Sequence, residues 1–283
     1  MIPIAVIPAR DEARRLPAAL AALHREGVTA LVVANGCCDA TASVARALGV
    51  EVIETPMLSG GVGEARAIGL SSALLRNPAW VMTTDADCVL APGTGAVLER
   101  ALRDADAVFG RVEPDPGEFA DLPPAVRHHG LLEDRRDVLS ALIAGHVAAC
   151  SWNPIPCHGQ SPGALIAWRP DAYRSVGGIV PMPRNEDRRM AATLQDAGLR
   201  VARPWDAVVI ASCRLRGRAP GGMAATIAER ARSDLSLETV ALGRECAALE
   251  RRLAALVPRE AWPPLPTPHE GDCDVLPFRQ AAI

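Results

Sequence analysis

Through the first hundred residues, short apolar runs alternate with segments whose apolar residues recur every three or four positions. The run 2–8 reads as a strand ended by Pro8. In 11–27, Leu16, Leu20 and Leu23 fall at helical spacing and Gly27 suits the stop. A second strand is predicted over 30–35. Asp39 or Thr41 can cap a helix running to Leu48, with Gly49 ending it. The pattern continues with a strand at 50–55, a glycine-led helix at 61–75, a strand at 80–85, a helix at 93–102 and a strand at 107–112. Such alternation predicts β-α-β units, hence an α/β fold with a parallel sheet covered on both faces.

Ligands of such sheets bind beyond the carboxyl ends of the strands. The polar residues gather at those ends: Arg10 to Glu12 after the first strand, Asn35 after the second, Asp85 and Asp87 after the fourth. A buried carboxylate without a partner is costly. Two of them, one residue apart at a strand end, call for either a cation or a turn cap. Singly, each group is compatible with capping; together they point to a site.

The second half is less regular. Residues 113–160 are rich in Pro, His and acidic residues, with a helix expected inside 123–150. A strand at 163–168 leads into 169–178, and a helix follows within 183–198 that carries Glu186 and Asp187 at its start. Residues 199–212 give one or two strands, and 214–222 form a basic loop. Residues 223–256 read as a long helical segment broken near Gly243, followed by a Pro-rich extended tail over 258–280. No internal repeat is visible.

Composition narrows the chemistry. The chain has 283 residues, 49% of them hydrophobic, and a formal net charge of -3, which leaves no basic footprint for nucleic acid. It contains no lysine, so any side-chain cation that meets a phosphate must be Arg. The eight cysteines form no CxxC pair and no disulfide framework, which suggests a reducing compartment. Cys150, Cys157 and His158 could be three zinc ligands, but no fourth stands at a zinc-finger spacing, and buried thiols are the simpler reading. No basic leader precedes the first strand and no apolar run approaches a membrane span, so a cytoplasmic protein is expected.

The stretch 60–69, Gly-Gly-Val-Gly-Glu-Ala-Arg-Ala-Ile-Gly, resembles a dinucleotide fingerprint but follows the third strand instead of the first. A helix N-terminus with Arg66 facing an anionic ligand is one reading, and plain helix capping is the other.

Six segments in order resemble glycosyltransferase family 2, which has a GT-A fold. They are residues 6–12 (VIPARDE), 32–41 (VVANGCCDAT), 60–70 (GGVGEARAIGL), 83–87 (TTDAD), 163–179 (GALIAWRPDAYRSVGGI) and 185–198 (NEDRRMAATLQDAG). The resemblance covers roughly 2–220. It implies a GT-A domain over 1–220, with a nucleotide-binding half (1–112) and an acceptor half (113–220). A C-terminal helical segment and tail (221–283) would follow and offer a homodimer contact.

By the same resemblance, Pro8, Ala9, Arg10, Glu12, Asn35, Arg66, Asp85, Ala86 and Asp87 would bind a UDP- or GDP-linked sugar. Asp87, with Asp85, would hold Mg²⁺ or Mn²⁺. Arg216 and Arg218 would contact the leaving diphosphate, and Asp187 would be the general base of an inverting transfer. His158, Gly159 and Glu186 would meet the acceptor, which enters between the 183–198 helix and the 113–160 region.

The sequence departs from the family at Asp11, usually Asn, at Asn35, usually Asp, and in 210–218, which lacks the family's late His ligand. No Gln-x-x-Arg-Trp segment occurs, which speaks against a processive polysaccharide synthase. The alternatives are a sugar-nucleotide pyrophosphorylase, whose glycine-rich basic loop is missing after the first strand, and a non-catalytic nucleotide-sugar-binding protein.

Overall fold

The structure, a computed structural model, describes residues 1–218 and 221–267. Strand β1 (Ile4–Ala9) is buried along its whole length and lies between β2 (Thr29–Asn35) and β4 (Val81–Thr84), parallel to both. Strand β3 (Glu51–Thr55) extends the parallel set beyond β2. On the other side, β8 (Leu165–Trp168) runs antiparallel between β4 and β6 (Ala107–Phe109), and β9 (Val201–Ala202) closes the edge. The result is a seven-stranded sheet in the order β3-β2-β1-β4-β8-β6-β9.

Both faces are covered, as the continuous apolar strands require. Ala5, Ile7 and Ala9 pack with Leu16, Leu20 and Leu23 of α1 (Leu16–Arg25) and with Val97 and Leu98 of α4 (Thr94–Ala101). The alternate residues Ile4 and Val6 pack with Leu70 and Ala73 of α3 (Gly61–Leu74) and with Met190 and Leu194 of α8 (Glu186–Asp196). Helix α2 (Thr41–Ala47) links β2 to β3.

A second sheet has three strands: β5 (Cys88–Leu90), β10 (Val208–Ala211) and β7 (Arg111–Pro114), with β10 in the middle. The strand expected over 107–112 is therefore split between two sheets. Gly110 is the break. A Cβ there would lie 2.0 Å from Leu165 Cδ2 and 3.0 Å from the Ala207 carbonyl, so only glycine lets the chain pass between β8 and β10. The two strands allowed for 199–212 are both present, as β9 and β10.

Beyond β7 come α5 (Pro116–Ala120), α6 (Pro124–Val147), α7 (Pro170–Ser175), α9 (Met223–Arg230) and α10 (Ser236–Ala254). Helix α10 continues through Gly243. The break expected there falls instead at 231–235, where Asp234 accepts the Ser236 N–H at 2.9 Å and turns the chain. Leu242, Cys246 and Leu253 of α10 pack against Leu132, Leu139, Leu142 and Ile143 of α6. This face of α10 is thus buried within the chain, whereas Leu237 and Val240 of the same helix are exposed. Among the described residues, no helix is long and apolar enough to cross a membrane. The expected tail is described only to Thr267, and its remainder, with Cys273, lies outside the described residues.

Candidate active site

The site lies where β1, β2 and β4 end. Because β8 is antiparallel to β4, with Thr84 opposite Leu165, the start of β8 lies beside the end of β4. Gly163 and the N-terminus of α8 are thereby brought next to Asp85.

The loops after β1 and β2 are knitted by their own carboxylates. Asp11 has φ 54° and accepts the N–H groups of Cys38 (2.7 Å) and Asp39 (3.2 Å). A non-glycine residue in this region is held there by its surroundings. Asp39, two residues before the first residue of α2, accepts the Thr41 N–H at 2.8 Å and also takes the Ala13 N–H, while Ala40 is the N-cap. The Glu12 N–H donates to Thr41 Oγ1 at 2.8 Å. Asn35 is buried: its Oδ1 accepts the Leu58 N–H at 2.9 Å and its amide nitrogen reaches the Gly61 carbonyl. Pro8 and Ala9 are buried at the end of β1, while Arg10 is exposed.

Asp85 and Asp87 stand in the turn between β4 and β5, so the two-carboxylate motif joins the two sheets. Ala86 between them is buried. Their oxygens and Cys88 Sγ lie within 4.8 Å of one another. Desolvation, with Asp85 beside it, pushes the Asp87 carboxyl up to about 6. Burial, together with the same two carboxylates, pushes the Cys88 thiol well above its ordinary value. The thiol stays protonated, which leaves two hard oxygen donors that repel each other. Such a pair fits Mg²⁺ or Mn²⁺ better than a thiophilic metal.

Arg66 does not project into open space. Its guanidinium is 3% exposed and bridges Asp85 Oδ1 (2.5 Å) and Glu186. It also lies against Gly163, where a Cβ would come within 2.6 Å of one of its nitrogens. Glu186 is buried too, and desolvation raises its carboxyl against the lowering influence of Arg66. Where the sequence suggested an anionic ligand for Arg66, its guanidinium meets two carboxylates of the protein itself. Asp187, next in the chain, is half-buried. Its Oδ2 accepts the Gly163 N–H at 2.9 Å and its Oδ1 the Arg188 N–H at 2.7 Å, which fixes the carboxylate from behind. Asn185, with φ 61°, turns the chain into α8 so that Glu186 points inward.

Arg214 is the residue that sequence reasoning missed. It donates to both oxygens of Glu12 (2.5 and 3.0 Å) and lies 2.8 Å from Asp87 Oδ2. Arg218 also reaches Glu12, at 3.0 Å, whereas Arg216 is exposed. Glu12 therefore grips the basic loop and does not simply line a pocket. His158 is 1% exposed, and burial, aided by Arg203 and Arg111, lowers its imidazole to about 3. It is enclosed rather than displayed to an acceptor. Gly159 is exposed but abuts the Asp137 carbonyl of α6. Cys150, Cys157 and His158 form no metal-ligating group among the described residues.

The seven-stranded, mostly parallel sheet with helices on both faces is that of the GT-A fold, and Asp85 and Asp87 stand in a turn at the end of one of its strands. The family model described as Glycosyl transferase family 2 matches residues 4–153, more than half of the chain, and the protein belongs to that family.

Solved structures agree in fold. S. aureus TarS 1-349 in complex with UDP-GlcNAc is 14% identical, with a TM-score of 0.53. The match covers 90% of this chain and 66% of that one, so the protein spans just under two thirds of the TarS fragment. The mannosyltransferase PcManGT from Pyrobaculum calidifontis, in complex with GDP-Man and Mn2+, is 19% identical over 92% of this chain and 76% of that one, with a TM-score of 0.52. Glucosyl-3-phosphoglycerate synthase from Mycobacterium tuberculosis, in complex with Mn2+, UDP and glucosyl-3-phosphoglycerate, is 19% identical over 87% and 80%, with a TM-score of 0.53. No curated protein sequence matches.

Proposed function

We propose that the protein transfers a sugar from a UDP- or GDP-linked donor to an acceptor hydroxyl, with inversion and with Mg²⁺ or Mn²⁺. The observation that carries this reading is the grouping at one sheet edge of Asp85 and Asp87 with Asp187, coupled through Arg66 and Glu186. UDP-GlcNAc in the TarS structure, GDP-Man in PcManGT and UDP in the synthase support the substrate class.

When bound, the cation supplies charge neutralisation for the departing diphosphate. Asp85 and Asp87 are the residues that would hold it, and Arg214, Arg216 and Arg218 are the cations available to the diphosphate in a chain without lysine. Asp187 takes the proton of the acceptor hydroxyl. Its backbone anchors leave each carboxylate oxygen a free lone pair. The 1–220 region is the transferring unit in this reading, and the C-terminal helices buttress α6.

The test is incubation with a panel of UDP- and GDP-sugars, Mn²⁺ and candidate acceptors. Release of free nucleoside diphosphate with an anomerically inverted product is expected. Pyrophosphate formed from a nucleoside triphosphate, or binding without turnover, would replace this reading with another.

A further inference from the structure

Arg214 stands between two carboxylates and is held from several directions. Glu118 of α5 accepts the hydroxyl of Ser212 (2.6 Å) and the N–H of Cys213 (2.7 Å), which fixes the chain just before it. The Cys213 side chain is buried with Leu122, Val126, Ile227 and Leu235. Glu12, 6% exposed, takes the guanidinium with both oxygens. The nitrogen that donates to Glu12 Oε1 also meets Asp87 Oδ2. The guanidinium is thus anchored by Glu12, and the other Asp87 oxygen, Oδ1, accepts from the Cys88 thiol at 3.8 Å.

We propose that Arg214 is a fixed counter-ion of the cation site, which keeps the donor-free protein a weak metal binder and makes tight metal binding depend on the nucleoside diphosphate. The proposal rests on the donor-site reading above and adds a residue to it. A fixed positive charge beside Asp87 repels an arriving divalent cation. The same charge attracts the diphosphate, whose own negative charge then offsets that repulsion. Arg214 is therefore a positioning residue whose effects on the two ligands have opposite sign. A merely structural arginine would move both affinities in the same direction.

The test measures Mn²⁺ binding by titration calorimetry and by the loss of the free-ion EPR signal, first without nucleotide, then with UDP and GDP binding followed at saturating Mn²⁺. Arg214→Gln should tighten Mn²⁺ binding to the nucleotide-free protein on the order of tenfold and weaken nucleoside diphosphate binding by a similar factor. Arg214→Lys should stay near the wild type in both. Unchanged or weaker Mn²⁺ binding by a folded Arg214→Gln overturns the proposal. Should that variant fail to fold, Glu12→Gln keeps the Arg214 charge while one negative charge leaves, and Mn²⁺ binding should weaken. Unchanged or tighter binding there also overturns it. A wild type that binds neither Mn²⁺ nor nucleotide removes the donor-site reading itself, and this inference with it. A wild type that binds both, beside an unaltered Arg214→Gln, removes the inference alone.

Discussion

Arg66 and Glu186, 120 residues apart, form an ion pair in which neither side chain is more than 5% exposed. The pair joins α3 to α8, and Asp85 shares the same guanidinium. Removing one partner of a buried pair leaves an uncompensated charge, at a cost of roughly 3–5 kcal/mol. Arg66→Met should therefore lower stability by about that amount in urea melts, beyond any effect on nucleotide binding. The double variant Arg66→Met, Glu186→Gln should recover part of the loss, because the stranded charge is gone. A cost below about 1 kcal/mol for the single variant would show that the pair does not hold α3 and α8 together.

Asp87 should make metal binding pH-dependent. Its carboxyl is pushed up to about 6 by desolvation and by Asp85, and a carboxylate must lose its proton before it can hold a cation. Mn²⁺ affinity should be flat above pH 7 and fall by about tenfold per unit below pH 6. Asp87→Asn should abolish that dependence and weaken Mn²⁺ binding to the nucleotide-free protein further, yet leave the fold intact, because it removes one of two repelling anions. Calorimetric titrations between pH 5 and 8 would check both. A wild-type affinity that does not change across the range would rule Asp87 out as a ligand.

Asp134 gives a stability signature apart from the donor site. It lines a cleft of about 340 Å³ with Arg111, Gln160, Trp205 and Pro264 to Pro266, and accepts a hydrogen bond from Gln160 Nε2 at 3.2 Å. Desolvation, with Asp137 and Glu133 nearby, raises its carboxyl from 3.8 to about 7. The folded protein then binds more protons than the unfolded chain between those values. Stability contributed by this group is full below pH 4 and declines as pH rises to about 7. Asp134→Asn keeps the oxygen that Gln160 meets and removes the charge. It should raise stability by about 1–3 kcal/mol at pH 8 and change little at pH 4. Equal effects at the two pH values would contradict the assignment.

Much of this was legible in the sequence because the relevant signals are local. Apolar strands, helical spacing and glycine stops are read within a dozen residues, and they place Asn35, Asp85 and Asp87 at strand ends. What was not legible depends on distant partners. The break at Gly110 exists because Leu165 and Ala207 crowd it. Strand β5 has only three residues and is defined by pairing with β10, about 120 positions later. Arg214 follows the last strand in a run of three basic residues spaced two apart, and nothing in that spacing tells which of them turns inward. Its partners, Glu12 and Asp87, are brought to it only by the three-stranded sheet. The role of Arg66 was half read: the sequence called for an anionic partner but could not show that the chain supplies two.

Asp187 and Glu186 are neighbours with opposite surroundings, and the contrast sets the last prediction. Glu186 is buried, paired with Arg66 and raised by desolvation, so its carboxylate is spoken for. Asp187 is half-buried, anchored only by two backbone N–H groups, and keeps acceptor capacity on both oxygens. A general base needs a free lone pair within reach of the acceptor proton, and the contrast supports the proposed assignment of that role to Asp187. Asp187→Asn preserves shape and one of the two anchoring contacts but loses the basic oxygen. Turnover should fall roughly 10²–10⁴-fold while nucleotide-sugar affinity stays within a few-fold. Glu186→Gln should behave differently: it leaves Arg66 with only Asp85 and should act mainly on stability, with a smaller loss of turnover at temperatures where the variant is folded. Steady-state kinetics and melting curves on the two variants separate the roles. A larger turnover loss in folded Glu186→Gln than in Asp187→Asn would transfer the base assignment to Glu186.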